Sequence, residues 1–192
     1  MSQPFDRPAL AALVEAGRSY ASRADAAGIR LSVLGDGQHP KVMLIACSDA
    51  RLVPALITAS RPGEVLELRT HGGVIPRFTP EPHTGEALTI EYAVATLQIS
   101  DIVVLGHSHC EVVNLDIADR PPTTPGPGSW STGDFTAAGH RHVVRQVDIL
   151  SDYACIAPRL AERTLRLHGW YHELDTGSTL AYQPHLSTFL PL

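Results

Sequence analysis

Apolar and polar positions follow a helical period in some parts of this chain and a strand period in others. Two short runs, Val42–Ala46 and Ile102–Leu105, are continuously apolar, which is typical of strands buried on both faces of a parallel sheet. Helical spacing of apolar residues runs from Pro8 to Ala27 and again from Gly85 to Leu97. Strands that alternate with helices favour an α/β fold.

Weaker patterns predict the remaining elements. They are a short helix at 52–59, a strand at 64–69, helices around 143–150 and at 153–163, a strand at 165–170 and a last strand at 179–182. We expect Thr84 to cap the helix beginning at Gly85 and Asp101 to end it. The turn Asp175–Gly177 makes the last strand antiparallel to the one before it. The predicted fold is a mostly parallel central sheet, with four parallel strands plus an antiparallel edge strand, flanked by helices.

The length favours a single domain over all 192 residues, with an N-terminal helical arm at 1–38. Residues 120–133 contain four prolines and three glycines, which predicts a loop that we extend to 120–139. A lid, a partner-binding surface and a tolerated insertion all remain open for this loop.

Charge and composition exclude several classes of protein. The net charge of −5 and the absence of a basic block argue against nucleic-acid binding. No apolar stretch is long enough for a membrane span, and the first residues lack the order of a secretory signal. Three cysteines at irregular spacing do not form a disulfide framework. We therefore expect reduced thiols and a cytoplasmic protein.

Two predicted strands run directly into residues that can bind a metal. The first leads into Cys47 and the third into His107 and Cys110. Ligands of parallel sheets bind beyond the carboxyl ends of the strands, and two cysteines with one histidine form a known catalytic zinc set. A lone cysteine after a strand is more often a small core residue, but the combination of both strand ends favours a metal site. Asp49 and Arg51 form either part of this site or an ordinary local ion pair.

The chain resembles the β-class carbonic anhydrases. Residues 47–51, CSDAR, match the family's C-x-D-x-R motif, and residues 107–110, HSHC, match its H-x-x-C motif. Similarity extends over roughly residues 40–118 and 140–185, including Pro62–Glu64, Gly85–Leu97 and the segment Leu167–Trp170.

This resemblance implies one Zn²⁺ per chain, held by Cys47, His107 and Cys110. The fourth position belongs to water, or to Asp49 in a closed, inactive state, while Arg51 holds Asp49 off the metal. The implied reaction is the reversible hydration of CO2 to bicarbonate and a proton by zinc-bound hydroxide, with Asp49 and Arg51 as catalytic residues. Family members form homodimers or homotetramers, and the apolar face of the arm is consistent with packing on a partner.

Two segments depart from the family pattern. Glu111 follows Cys110 where glycine is common, and is either a favourable charge in a first helical turn or a negative group that repels bicarbonate. The segment Arg69–Gly73 carries Thr70 and His71 in unusual places, and His71 either shuttles protons or faces solvent. His109 is interpreted as a bystander, His168 as structural and Cys155 as a residue packed in a helix core. His140 and His142 follow the loop and could reach many places, so their roles stay open.

Three other functions stay open at this stage. A cysteine hydrolase would use Cys47 or Cys110 with a nearby histidine. A hydrolase of carbon disulfide or carbonyl sulfide could use the same scaffold and zinc ligands. A relative that keeps the zinc could also bind a ligand or a partner without turnover.

Overall fold

The structure is a computed structural model that describes residues 7–81, 84–114 and 135–192. Within these residues, six strands form one sheet in the order β2-β1-β3-β4-β5-β6. The strands are β1 (Val42–Cys47), β2 (Val65–Thr70), β3 (Asp101–His107), β4 (Arg166–His172), β5 (Thr179–Gln183) and β6 (Thr188–Pro191). Strands β2, β1, β3 and β4 are parallel, and β5 and β6 continue the sheet antiparallel. The predicted α/β fold class is confirmed.

Helices flank the sheet. They are α1 (Arg7–Arg18), α2 (Tyr20–Ala26), α3 (Leu31–Leu34), α4 (Pro54–Ile57), α5 (Gly85–Glu91), α6 (Glu111–Asn114), α7 (Phe135–Ser151) and α8 (Ala157–Ala161). None of the helices in these described parts of the chain combines the length and apolar character needed to cross a lipid bilayer. Two helices are shorter than predicted, α4 against 52–59 and α8 against 153–163.

The N-terminal helix is interrupted, although its periodicity predicted one helix from Pro8 to Ala27. The break falls at Ser19, whose hydroxyl donates hydrogen bonds to the carbonyls of Glu15 (3.0 Å) and Ala16 (3.3 Å). A serine that bonds back to its own helix competes with the backbone ladder and bends the helix there. The arm therefore consists of short helices within the described part of 1–38.

Helix α5 begins as predicted but ends differently. The Thr84 hydroxyl accepts a hydrogen bond from the Ala87 amide at 3.2 Å, which confirms the cap. The helix continues into a π-helical turn at Tyr92–Thr96, and Asp101 opens β3 instead of closing the helix. Its backbone already pairs with the neighbouring strands, so sheet pairing and not helix termination determines its conformation.

The predicted antiparallel strand is present as β5, but β6 was missed and forms the outer edge. Its four residues include Pro191, and proline within a short apolar run is a signal against a strand. An edge position tolerates it because one side of the strand needs no hydrogen-bonding partner. Of the loop predicted at 120–139, residues 120–134 lie outside the described residues, and 135–139 belong to α7.

Strand β1 lies at the centre of two apolar layers. Met43 and Ile45 pack into the layer that includes residues of α5 and α7, whereas Leu44 and Ala46 pack into the opposite layer. All four side chains are at most 1% exposed. Burial on both faces is what the continuous apolar run predicted, and it fixes the carboxyl end of β1 in the middle of the molecule.

A charge cluster closes the opposite end of the sheet, where β3 and β4 begin. Arg166 donates to both carboxylate oxygens of Asp101, at 2.8 and 2.9 Å, and His168 lies 2.8 Å from the same carboxylate. Burial raises the pKa of Asp101, but the hydrogen bonds from Arg166, His168 and Ser100 outweigh it and lower the pKa to about 2.

We expect Asp101→Asn to destabilise the fold near neutral pH by about 1–2 kcal/mol, since the exposed Arg166 weakens the pairing. Because the pKa is lower in the folded than in the unfolded chain, the ionised carboxylate stabilises the fold above about pH 4 and that contribution disappears as the pH falls towards 2. Urea unfolding of both proteins at several pH values measures the difference. A difference that stays constant down to pH 2 would contradict the assignment.

Candidate metal centre and its surroundings

Neighbouring strands deliver the predicted metal ligands to one place. Cys47 is the last residue of β1 and His107 the last residue of β3, and these strands pair side by side. Cys110 directly precedes α6. The two sulfurs lie 3.9 Å apart, and the three possible ligand atoms all lie within 4.8 Å of one another. The structure thus brings together the three residues that the two motifs proposed.

The orientation of His107 suits a metal ligand. Its Nδ1 lies 2.8 Å from the carbonyl oxygen of Ser108, so Nδ1 carries the proton and donates it. The Nε2 atom then carries a lone pair and no proton. It is buried and has no hydrogen-bonding partner among the described residues. A backbone acceptor that fixes the ring of a ligating histidine is a common arrangement around metals.

This donor set fits zinc. Two sulfurs bound at about 2.3 Å with tetrahedral angles would be about 3.8 Å apart, close to the observed 3.9 Å between Cys47 and Cys110. All three residues are buried, His107 being 3% exposed. A buried, unpartnered imidazole nitrogen beside two thiols is costly in a purely structural core, and a bound cation satisfies it.

A hydrogen bond joins the two cysteine sulfurs, with Cys110 as donor. The hydrogen bond from Cys110, together with His107, lowers the pKa of Cys47. The same hydrogen bond and burial raise the pKa of Cys110. The hydrogen bond between the sulfurs therefore favours ionisation of Cys47 over ionisation of Cys110. Binding of a divalent metal would release thiol protons, because both sulfurs bind as thiolates.

Asp49 and Arg51 lie beside this cluster and pair with each other. Arg51 donates to the Asp49 carboxylate from Nε at 3.0 Å and from Nη2 at 2.7 Å. These hydrogen bonds hold the pKa of Asp49 well below its usual range. The same carboxylate is 4.0 Å from Nε2 of His107, so an ionised oxygen faces the atoms that would hold the metal.

Arg69 organises the loop that carries these residues, a role that sequence reasoning missed. From β2 its guanidinium donates to the carbonyl oxygens of Cys47 (2.8 Å), Asp49 (2.9 Å) and Leu52 (2.7 Å). One rigid cation thereby ties down three carbonyls of the loop. The only sequence signal was its position in the segment Arg69–Gly73, since its partners lie on a neighbouring strand end.

Two glycines let a second backbone segment approach the site. Gly72 and Gly73 have positive φ angles of 71° and 67°, a conformation that favours glycine. A Cβ on Gly73 would lie 3.3 Å from the Cys47 amide nitrogen. His142, on α7, lies 2.9 Å from the carbonyl oxygen of Gly72 through Nε2, and burial lowers the pKa of His142, so a neutral imidazole fixes this turn.

Known proteins resemble the chain over most of its length. The family described as "Carbonic anhydrase" matches residues 42–132. The carbonic anhydrase of Pseudomonas aeruginosa is 34% identical over 166 residues, which are 75% of this chain and 74% of that protein. The structure of the β-carbonic anhydrase CcaA superposes with a TM-score of 0.81 at 26% identity, covering 96% of this chain and 100% of that one.

The chain belongs to the β-carbonic anhydrase family. Carbonic anhydrase 1 of Escherichia coli is 32% identical over 83% of this chain and 81% of its own length. The chain spans 65% of a Synechocystis carbonic anhydrase that is also 32% identical. Structures described as two tetrameric β-carbonic anhydrases from Sordaria macrospora share the fold, with a TM-score of 0.76 and 21% identity over 92% of this chain and 97% of theirs.

Departures from the β-carbonic anhydrase pattern lie at the rim of the site. Glu111 is exposed, and its charge joins that of Asp49 in raising the pKa of Arg51. His71 is exposed, with its backbone in the turn next to Gly72. His109 is also exposed, and its ring pairs with Asp175 at 2.6 Å.

The other residues considered from the sequence lie away from this β-carbonic anhydrase site. His140 stacks on Phe189 with ring centroids 4.0 Å apart. His168 belongs to the charge cluster of Asp101. Cys155 is half-buried and packs against the apolar layer, where burial raises the pKa of its thiol. None of these three is a metal ligand in the described cluster.

The close approach at Gly72 gives a test of how this β-carbonic anhydrase site is supported. A Cβ there would lie 2.4 Å from Cγ1 of Val112, two residues beyond Cys110. We expect Gly72→Ala to destabilise the fold by about 2–4 kcal/mol, combining backbone strain with overpacking. Gly177→Ala is the matched control, because Gly177 has the same φ of 71° but no atom within 4 Å of an added Cβ.

Thermal and urea unfolding of the two variants separate the cost of a left-handed backbone from the cost of the contact between the new Cβ and Val112. Gly177→Ala should lose only the strain of a left-handed backbone, about 1 kcal/mol. Equal losses in both variants would mean that Val112 moves aside freely and that the contact does not support the site.

Proposed function

We propose that this protein is a zinc-dependent carbonic anhydrase that interconverts CO2 with bicarbonate and a proton. The observation that carries the proposal is the buried Cys47–His107–Cys110 cluster with an arginine-paired carboxylate 4.0 Å from the histidine nitrogen. Membership of the β-carbonic anhydrase family supports the same reaction. The substrate would be a small neutral molecule, which needs no charged pocket of its own.

Zinc would be held by Cys47, His107 and Cys110. When bound, it would supply Lewis-acid chemistry, lowering the pKa of water towards about 7 so that a nucleophile forms at neutral pH. Cys47, His107 and Cys110 all have high burial, which keeps bulk water from competing for the ligands. The lone pair of His107 already points at the thiols because Ser108 holds the proton on its other nitrogen.

Asp49 would position the reactants. Its carboxylate is a hydrogen-bond acceptor kept ionised by Arg51 across the working pH range. An acceptor in this place can hold an O–H of the attacking species and leave its lone pair directed at CO2. The Arg51 guanidinium also donates to the carbonyl oxygen of His109 at 3.1 Å, so it is fixed from a second side.

The pairing of Asp49 with Arg51 supports this role. Both carboxylate oxygens accept from Arg51, so the carboxylate is held by the guanidinium. Ligation of zinc by Asp49 as a fourth ligand would compete with those hydrogen bonds. We propose that Arg51 thereby favours the active over the closed state.

Stopped-flow CO2 hydration, with zinc quantified in the same sample between about pH 6 and pH 9, tests the function. The proposal expects about one zinc per chain and rapid hydration. It is overturned by a zinc-loaded, folded sample without hydration activity, and hydrolysis of carbon disulfide or carbonyl sulfide by that sample would identify the alternative substrate. Glu111→Gly then shows whether the extra charge beside Cys110 is responsible.

Chelation separates the zinc enzyme from a cysteine hydrolase. Removal of zinc should abolish hydration, and bound zinc should protect Cys47 and Cys110 from alkylation, since both sulfurs are ligands. Activity that survives chelation but is lost on alkylation would instead indicate a cysteine nucleophile.

Assembly into a homodimer or homotetramer is part of the proposal. Leu10 and Leu13 on α1 are 66% and 69% exposed, an apolar face that a second subunit could cover. Strand β2 also has an open edge in the described sheet. Light scattering coupled to size exclusion should give a mass of two or four chains, and a monomer would contradict the assignment.

A further inference from the structure

A cavity of about 570 Å³ lies between α7 and the segment that follows β2. Much of its wall is apolar and includes Ile75, Val113 and Ile149. Its described lining contains neither the candidate metal ligands nor Asp49 and Arg51. The cavity therefore adjoins the site proposed for CO2 hydration without including its ligands, and its volume is in the range that accommodates a metabolite-sized ligand.

Three arginines give this cavity a positive charge. Arg141 and Arg145 are four residues apart on α7, which places both on one face of the helix, and Arg77 lines the cavity from the segment after β2. No aspartate or glutamate belongs to the described lining. Asp148, on the same helix, borders a neighbouring cavity with Arg145.

Some arginines of this protein form ion pairs, such as Arg51 with Asp49 and Arg166 with Asp101. Within the described parts of the chain, no such pair within 4.0 Å involves Arg77, Arg141 or Arg145. The chain as a whole carries a net charge of −5, so the cluster is a local reversal of sign that an anion would neutralise.

A buried amide adds a neutral donor to the same wall. Gln146 is 3% exposed, and its Oε1 accepts a hydrogen bond from the Ile75 amide at 2.8 Å. This contact fixes the side chain and occupies its oxygen. The NH2 group of Gln146 is therefore the part that a ligand could use as a donor. An amide donor beside guanidiniums is suited to oxygen acceptors such as phosphate or carboxylate.

We infer that this cavity binds an organic anion with two or more negative charges. Its charged groups contact Arg77, Arg141 and Arg145, and its carbon skeleton packs against Val113 and Ile149. Phosphate esters and polycarboxylates share this chemistry, because each presents several oxygen acceptors on a small carbon frame. Guanidinium forks bind either group through paired hydrogen bonds.

Isothermal titration calorimetry on the zinc-loaded protein tests the site without any use of activity. The probes are fructose 1,6-bisphosphate for phosphate esters and tricarballylate for polycarboxylates, with acetate as the singly charged comparison. We expect at least one of the two multivalent probes to bind with a Kd below about 1 mM at an ionic strength of about 0.1 M, and acetate to bind at least about tenfold more weakly.

Arg145→Gln should weaken that binding by about tenfold, the effect of losing one charge-assisted contact. Arg61→Gln is the matched control, since Arg61 is also exposed and precedes β2 at the opposite end of the sheet; it should change the Kd less than twofold. Circular dichroism and zinc content verify that both variants are folded. Absence of heat with both multivalent probes, or equal weakening in the two variants, overturns the site.

Discussion

Cys47→Ser is expected to lose the metal and to reduce CO2 hydration by at least about 10³-fold. Cys47 ends the central strand β1, and the hydrogen bond from Cys110 lowers the pKa of its thiol. Serine preserves the size of the side chain, but its hydroxyl is a poor zinc ligand at neutral pH because it stays protonated. Zinc content by atomic absorption and stopped-flow hydration on the same sample measure both effects.

Cys155→Ser provides the matched control for this variant. Cys155 is the third free cysteine and packs against the apolar layer away from the cluster. We expect it to keep one zinc per chain and full activity, with a loss of stability of about 1 kcal/mol from a polar group placed in an apolar contact. Full hydration activity in Cys47→Ser would refute the metal centre itself.

Asp49→Asn is expected to keep zinc and to lower kcat by about 10²–10⁴-fold, the usual contribution of a positioned acid or base. Asparagine has the shape of aspartate but lacks the charge that pairs with Arg51. The amide would present a donor where the proposal needs an acceptor. Stopped-flow rates, with zinc quantified, separate this loss from a loss of metal.

Asp101→Asn is the control for removing an arginine-paired carboxylate. Asp101 pairs with Arg166 in the same two-pronged way but at the opposite end of β3. It should lower stability and leave kcat unchanged, whereas Asp49→Asn should lower kcat. Arg51→Ala should resemble Asp49→Asn, with zinc retained. A drop in zinc content equal to the drop in rate would show that Asp49 and Arg51 support the metal and not the reaction.

The sequence predicted the elements that depend on local pattern. The runs that became β1 and β3 were recognisable because burial on both faces requires uninterrupted apolar residues. The ligands could be proposed because they follow those strands directly, and the Asp49–Arg51 pair because the two residues are near neighbours. By contrast, β6 has only four residues and a proline, so its pairing with β5 and not its own composition makes it a strand.

Contacts between residues that are far apart in the sequence were decided by the tertiary structure alone. Arg69 reaches the loop at Cys47–Leu52 because β2 lies next to β1, and strand order is not encoded in the period of either strand. Similarly, Arg77 and Arg141 line the same cavity only because α7 packs on the sheet. The sequence by itself determined the strands β1 to β5, the ligand types and the strand ends at which the ligands lie. The three ligand residues are up to 63 positions apart in the chain, yet their ligand atoms lie within 4.8 Å of one another. Only packing could decide this, because residues so far apart in sequence are brought together only when the sheet forms.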